Sequence, residues 1–124
     1  MKESSILIVD DDSDVLEMAD YFFKEKGVEA HCVESGSRAL EKIRDRSFAV
    51  MLTDFNMPGM NGLELAEKVR EVAPQIRVIM ATGHPSQELF DLAVKAGIVT
   101  VLAKPLHLEG LLALVNEIVP PTSS

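Results

Sequence analysis

The strongest constraint on the fold is a regular alternation between short apolar runs and longer segments in which apolar residues recur every three or four positions. Short, nearly continuous apolar runs are typical of strands covered on both faces, and the longer segments have the period of a helix. This alternation predicts a parallel sheet with helices on both of its faces. The predicted strands cover residues 5–9, 28–33, 48–53, 76–81 and 98–103, and the predicted helices cover 13–26, a segment that opens at Ser35, 62–72, 86–96 and 108–118.

Polar residues stand where four of the predicted strands end. Asp10 and Asp11 follow the first strand, Asp54 follows the third, Thr82 follows the fourth and Lys104 follows the fifth. The carboxyl ends of parallel strands lie at one edge of the sheet, and ligands bind there at the point where the strand order reverses. We therefore expect these five side chains to form one site.

The three acids of this site, Asp10, Asp11 and Asp54, need a positively charged partner. Carboxylates that share a pocket repel one another at neutral pH unless a cation, a shared proton or a basic group is present. Oxygen ligands without His or Cys suit a magnesium ion. With such a cation, a carboxylate nucleophile at Asp54, the ammonium of Lys104 and the hydroxyl of Thr82 provide what is needed to form an acyl phosphate.

These residues resemble the receiver domain of two-component response regulators, and the resemblance covers essentially the whole chain. Each motif alone is common in unrelated proteins, but the combination in this order, with each motif at a strand end, is specific. The resemblance implies an α/β fold with a five-stranded parallel sheet in the flavodoxin-like order 2-1-3-4-5, doubly wound with five helices. The motifs are Asp10-Asp11, Asp54 followed by Met57-Pro58-Gly59 and Gly62, Thr82-Gly83, and Lys104-Pro105.

The resemblance also implies a chemical role for each residue of the site. Asp54 would accept a phosphoryl group from a phosphohistidine on a sensor histidine kinase or a phosphotransfer protein, in a magnesium-dependent step. Asp11 and Asp54 would bind magnesium directly, together with the backbone carbonyl of Asn56. Asp10 would act mainly through bound water, and Lys104 would bind a phosphoryl oxygen.

Three further positions are implied to affect the phosphorylated state and its lifetime. Thr82 would move toward the phosphoryl group and so signal its presence. Asn56 and His84 would border the phosphoryl group and influence how fast water removes it, although a loop histidine without any role explains His84 equally well. Phosphoryl transfer and autodephosphorylation are both self-directed, so the resemblance implies a switch and not an enzyme that turns over a substrate.

Val101 departs from the family pattern. Many receivers place Tyr or Phe three residues before the lysine, and that ring swings inward when the threonine engages phosphate. Valine has no ring, so we expect the output signal to be muted or to be carried by the fourth helix and its preceding loop. That helix is unusually apolar around Phe90. Either these residues cover the sheet, or they form a surface with the fifth strand and fifth helix for a homodimer or an output partner.

The composition limits the remaining functions. A chain of 124 residues predicts one domain, with the receiver at 1–119 and a tail or the start of a linker at 120–124. The formal net charge of -8 argues against binding of nucleic acid or anionic membranes by this domain. A single cysteine, Cys32, excludes an internal disulfide, and we expect a half-buried structural thiol. No signal peptide or membrane span is visible, which predicts a cytoplasmic protein.

Three rival interpretations explain the residues less well. A receiver-like interaction module that works without phosphorylation would be expected to lack Asp54, Lys104 or the acid pair, and all of these are present. A phosphatase with an aspartyl-phosphate intermediate usually has a second acid two residues after its nucleophile, where this chain has Asn56. A flavodoxin-like redox protein would need a phosphate loop rich in glycine and hydroxyl groups after the first strand, and residues 10–12 are acidic instead.

Overall fold

Five parallel strands form one sheet: β1 (Ile6–Val9), β2 (Ala30–Val33), β3 (Val50–Asp54), β4 (Arg77–Thr82) and β5 (Thr100–Ala103). Their order in the sheet is β2-β1-β3-β4-β5, which confirms the prediction. The computed structural model describes residues 5–119, and the predicted tail at 120–124 lies outside the described residues. Strands β1 and β3 are neighbours in the middle of the sheet, so the residues that follow them are brought side by side.

A helix follows each strand, and four of the five helices begin at a side chain that caps them. Asp12, Ser35, Asn61 and Ser86 each accept a hydrogen bond from a backbone N–H in the first turn of the helix that follows. Each cap of this kind stabilises a helix by about 1 kcal/mol, which explains where these helices start. The helices are α1 (Ser13–Glu25), α2 (Gly36–Asp45), α3 (Gly62–Val72), α4 (Gln87–Lys95) and α5 (Leu108–Ile118).

The two faces of the sheet bury separate apolar clusters, because successive side chains of a strand point to opposite faces. On one face, Leu7 and Met51 pack in a cluster with residues of α2, α3 and α4 such as Leu65. On the other face, Ile8 and its neighbours pack with residues of α1 and α5 such as Phe23. Both faces are therefore covered, which explains why the central strands read as continuous apolar runs.

Strand β2 starts two residues later than the sequence pattern predicts. The backbone of Gly27 has φ +71°, and the N–H of Val28 donates to the carbonyl of Phe23 at 2.9 Å. Val28 therefore still belongs to the turn that ends α1. The thiol of Cys32 on this strand is half-buried and lies 3.7 Å from the carbonyl oxygen of Leu16. Burial, together with the charge of Asp20, raises the pKa of Cys32 to about 11, so the thiol is protonated at neutral pH.

Among residues 5–119, no helix has both the length and the apolar character needed to cross a lipid bilayer. The longest described helix, α1, has 13 residues. A membrane-spanning helix needs about 20 apolar residues.

Candidate functional site

Three carboxylates meet at the carboxyl ends of β1 and β3. Val9 and Thr53 are paired across these neighbouring strands, so Asp10, which follows β1, and Asp54, the last residue of β3, come together. One carboxylate oxygen from each of Asp10, Asp11 and Asp54 lies within 4.8 Å of the other two. Asp10 and Asp54 are buried, whereas Asp11 is exposed. The convergence predicted from the positions of these acids after their strands is therefore present.

The ammonium of Lys104 joins two of these carboxylates. Its Nζ lies 3.1 Å from Oδ2 of Asp10 and 3.2 Å from Oδ1 of Asp54. Its backbone N–H donates to the carbonyl of Thr82 at 2.8 Å, which fixes the start of the loop after β5 against the end of β4. The peptide bond between Lys104 and Pro105 is cis. Lys104 therefore supplies positive charge to the acids at hydrogen-bonding distance.

The electrostatics of Asp54 combine opposing effects. Burial of the carboxyl raises the pKa of Asp54, the charge of Lys104 lowers it, and the neighbouring charge of Asp10 raises it again. Hydrogen bonds from Lys104 and from the backbone of Asn56 also lower it, but the net pKa of Asp54 is raised. Burial alone would lower the pKa of Lys104, but its hydrogen bonds and charge attraction to Asp10 and Asp54 leave it raised. A carboxylate that is poorly solvated in this way benefits from additional positive charge.

Asp10 is held from two sides. Its Oδ1 accepts a hydrogen bond from the backbone N–H of Asp12 at 3.0 Å, and its Oδ2 accepts one from Lys104 at 3.1 Å. The side chain of Asp12 in turn caps α1 by accepting from the N–H of Asp14. Asp10 therefore contributes its side chain to the pocket, whereas Asp12 uses its side chain to cap α1.

The end of β4 places Thr82 beside the acids. Thr82 is buried, and it follows Ala81, the residue that pairs with Asp54 across β3 and β4. Its Oγ1 accepts a hydrogen bond from the backbone N–H of His84 at 3.1 Å, which leaves the hydroxyl proton available for donation. The side chains of His84 and Asn56 are exposed at the rim of this edge.

Thr53 is a site residue that the sequence analysis did not single out. It is completely buried, and its Oγ1 donates to the backbone carbonyl of Asp54 at 3.1 Å. The sequence feature that could have identified Thr53 is its hydroxyl group, which stands within the apolar run that leads to Asp54. Because a buried hydroxyl requires a partner, Thr53 helps to fix the backbone that carries the Asp54 carboxylate.

Gly62, at the start of α3, packs against the backbone carbonyl of Asp54. A Cβ atom added to Gly62 would lie 2.6 Å from the backbone oxygen of Asp54 and 3.0 Å from Cα of Phe55. The N–H of Gly62 donates to the carbonyl of Phe55 at 2.9 Å. The loop after β3 can therefore approach the strand this closely only with glycine at this position.

We expect Gly62→Ala to lower the free energy of unfolding by about 2 kcal/mol, because the contact is with backbone that cannot move aside. The control is Gly110→Ala in α5, where an added Cβ would meet only the Cβ of His107 at 3.8 Å. That variant should gain about 0.5–1 kcal/mol from reduced backbone entropy in the unfolded chain. Urea denaturation measures both, and equal stability of the two variants would contradict the close approach at Gly62.

The fourth helix has both a buried and an exposed apolar face. Leu89 and Ala93 are buried against the sheet, whereas Phe90 is 37% exposed, Leu92 44% and Val94 74%. Leu89 and Ala93 therefore cover the sheet, and the other three residues leave apolar surface open to solvent. Val101 on β5 is partly buried against the cluster that includes α4.

Comparisons with known proteins agree with this geometry. The family model described as "Response regulator receiver domain" matches residues 6–116. The chain is 32% identical over 113 residues to the response regulator receiver protein CpdR of Brucella abortus, covering 91% of this chain and 92% of that protein. It is also 32% identical over 115 residues to the response regulator protein TmoT of Ectopseudomonas mendocina, covering 93% of this chain but 52% of the relative. The chain thus spans about half the length of TmoT.

Solved structures show the same fold. A CheY-like response regulator receiver domain protein from Methanospirillum hungatei superposes with a TM-score of 0.88 at 32% identity, covering 94% of this chain and 93% of the other. A two-component response regulator from Clostridium difficile superposes with a TM-score of 0.90 at 26% identity, covering 98% and 99% of the two chains. The order of strands and helices, the site at the carboxyl edge of the sheet and the match over residues 6–116 lead to one assignment. This chain belongs to the receiver domains of two-component response regulators.

Proposed function

We propose that this chain is a phosphorylation-controlled switch in a two-component phosphorelay, with Asp54 as the residue that accepts the phosphoryl group. One observation carries the proposal. The buried carboxylate of Asp54 lies at hydrogen-bonding distance from Lys104 and within 4.8 Å of the carboxylate oxygens of Asp10 and Asp11. This arrangement combines a nucleophile, a fixed ammonium and a set of oxygen ligands at the edge of the sheet where α/β proteins bind ligands.

The donor set fits a magnesium ion. Three carboxylates supply oxygen ligands with no His or Cys among them, which is the chemistry that magnesium prefers. We assign direct binding to Asp11, Asp54 and the backbone carbonyl of Asn56. Asp10, whose two oxygens already accept from Asp12 and Lys104, would act through water. The bound ion would neutralise charge on the acids and on the incoming phosphoryl group.

Phosphoryl transfer would proceed by in-line attack of a carboxylate oxygen of Asp54 on phosphorus. The new P–O bond forms as the P–N bond to the imidazole of the donor histidine breaks, and the imidazole leaves with that electron pair. Lys104 holds one phosphoryl oxygen, and the hydroxyl proton of Thr82 is donated to another. Water later cleaves the acyl phosphate, and Asn56 and His84 at the rim influence how fast it arrives.

Intact mass after incubation with acetyl phosphate tests this proposal. We expect the gain of one phosphoryl group when magnesium is present and no gain when a chelator removes it. Fragmentation should place the group on Asp54. A folded sample that gains nothing under either condition would instead favour a receiver-like module that works without phosphorylation.

The partners follow from the same proposal. The phosphodonor is a sensor histidine kinase or a phosphotransfer protein, and the switch acts in the cytoplasm. The exposed apolar residues Phe90, Leu92 and Val94 support an output partner or a second copy of the chain on the face formed by α4, β5 and α5. The net charge of -8 supports partners other than nucleic acid or anionic membrane for this domain.

We expect Val101→Tyr to leave the phosphorylation rate of Asp54 unchanged and to alter affinity for the output partner. Val101 packs against the cluster beside α4 and contributes no group to the carboxylate pocket, so a ring would change the surface and not the chemistry. Val101→Ile is the control for added volume alone. Phosphorylation kinetics and partner binding are measured on the same samples. Collapse of phosphorylation in Val101→Tyr would show that output and pocket are not separable.

A further inference from the structure

An apolar groove lies beside the site, between α1 and the loop that leads from β5 to α5. It has a volume of about 410 Å³. Met18 is 63% exposed, so the groove opens to solvent on the side of α1. The residues that line it are Val15, Met18, Lys104, Pro105, Leu106 and Leu108.

One residue that lines the groove, Lys104, also belongs to the phosphorylation site. Lys104 is the one charged residue among those that line it. The same ammonium lies 3.2 Å from Oδ1 of Asp54. An anion held by Lys104 next to Asp54 would therefore have apolar surface beside it. This combination suits a small ligand with an anionic head and a short apolar tail.

We propose that this groove binds the acyl chain of small acyl phosphates, so that the domain takes its phosphoryl group more readily from butyryl phosphate than from acetyl phosphate. The inference rests on the proposed function of Asp54. A carboxylate oxygen of Asp54 forms the bond to phosphorus, and the bond between phosphorus and the acyl oxygen breaks. The acyl group leaves as a carboxylate anion with that electron pair, so the products are aspartyl phosphate and butyrate.

The size of the effect follows from the area that the chain can bury. A methylene group removed from water changes an affinity by about fourfold, so the two additional methylenes of butyryl phosphate would give at most about 15-fold. Because Met18 is largely exposed, the groove covers the chain incompletely. We expect the second-order rate constant for phosphorylation to be about threefold to tenfold higher with butyryl than with acetyl phosphate.

The test compares these two donors on three proteins. Met18→Gln keeps the length of the side chain but makes the groove polar, and Met18 lies outside the carboxylate pocket. Val72→Gln is the matched control, because Val72 is 64% exposed at the far end of α3 and lies outside the groove. The ratio of the butyryl to the acetyl rate constant cancels differences in overall activity between variants.

We expect this ratio to fall toward one in Met18→Gln and to stay at its wild-type value in Val72→Gln. A ratio near one in the wild type, or the same ratio in all three proteins, would overturn the proposal. If the wild-type ratio is one but Met18→Gln slows transfer from a phosphotransfer protein, the groove serves a protein donor, and the proposal of a small ligand is wrong.

A binding measurement separates this inference from the proposed function. Butylphosphonate and methylphosphonate cannot transfer a phosphoryl group. Their effect on the NMR signal of the Met18 methyl group therefore measures binding in the groove without phosphorylation. We expect butylphosphonate to shift this signal more than methylphosphonate at equal concentration, and equal shifts would contradict the groove. Failure of acetyl phosphate to label Asp54 would contradict the proposed function instead.

Discussion

Replacing Asp54 with asparagine will abolish phosphoryl uptake and, in the absence of metal, will raise the melting temperature of the domain at neutral pH. The first effect follows because an amide oxygen is not an anionic nucleophile. The second follows because burial raises the pKa of Asp54 even though Lys104 opposes this, so the folded state disfavours the charged carboxylate. Asparagine keeps the shape of the side chain and removes the charge.

The gain in stability has a defined dependence on pH. Because the folded-state pKa of Asp54 lies above its ordinary value of 3.8, its contribution to stability is fully present below that value. The contribution is lost as the pH rises through the folded-state pKa. The melting temperatures of wild type and Asp54→Asn should therefore converge in acid and separate as the pH rises toward neutrality.

Thermal unfolding with a chelator present, from acid to neutral pH, measures this separation, and intact mass with acetyl phosphate and magnesium measures uptake. Asp91→Asn is a suitable control, because Asp91 is an exposed acid on α4 outside the pocket. Undiminished phosphoryl gain in Asp54→Asn would assign the modification to another residue. A melting temperature that is lower than wild type at neutral pH would show that the bond to Lys104 outweighs the burial of the carboxylate.

Lys104→Met is expected to slow phosphorylation about 100-fold, the effect typical of losing one preorganised charged contact to a reacting group. It also leaves Asp10 and Asp54 buried next to each other without the ammonium that now lies 3.1 and 3.2 Å from them. We expect a loss of about 3 kcal/mol in the free energy of unfolding, at the low end for breaking a buried ion pair because the lysine side chain is still 25% exposed.

Magnesium should restore part of this stability, because a bound cation replaces the missing positive charge near the same carboxylates. Urea denaturation of Lys104→Met with and without magnesium measures the recovery, which should exceed the gain that wild type shows. Lys68→Met on the exposed surface of α3 controls for the loss of a lysine elsewhere. If magnesium stabilises wild type and Lys104→Met equally, the ammonium and the metal do not act on a shared cluster of acids.

The sequence predicts the alternation of strands and helices and the convergence of the acids because both depend on features that a linear pattern records, whereas the full strand order was implied by the family resemblance. An apolar run that ends on Asp54 identifies a strand and the residue that follows it, and the topology of parallel sheets then places Asp10 nearby. The position of Lys104 near these acids follows from the same reasoning, since its strand is the only one of the four that ends on a basic residue. The grouping of these side chains at one edge of the sheet was therefore predictable from residue types and their order.

The sequence does not reveal contacts that depend on the distance between one segment of the chain and the backbone of another. The contact of Gly62 with the carbonyl of Asp54 and the hydrogen bond from Thr53 to that same oxygen require three-dimensional positions that no periodicity records. The start of β2 was predicted too early for a related reason. Val28 is as apolar as a strand residue, but its N–H is already used by the carbonyl of Phe23 at the end of α1.

The two hydrogen bonds to Asp10 determine when its conformational entropy is lost. Because Asp12 and Lys104 hold both of its oxygens, the rotational freedom of this side chain is given up when the chain folds. Asp11 is exposed and would lose its freedom only when a ligand arrives. The two adjacent acids would therefore be ordered in different steps. A change at Asp12 should alter how firmly Asp10 is held before any ligand binds, whereas the ordering of Asp11 would reduce the affinity for the proposed ion.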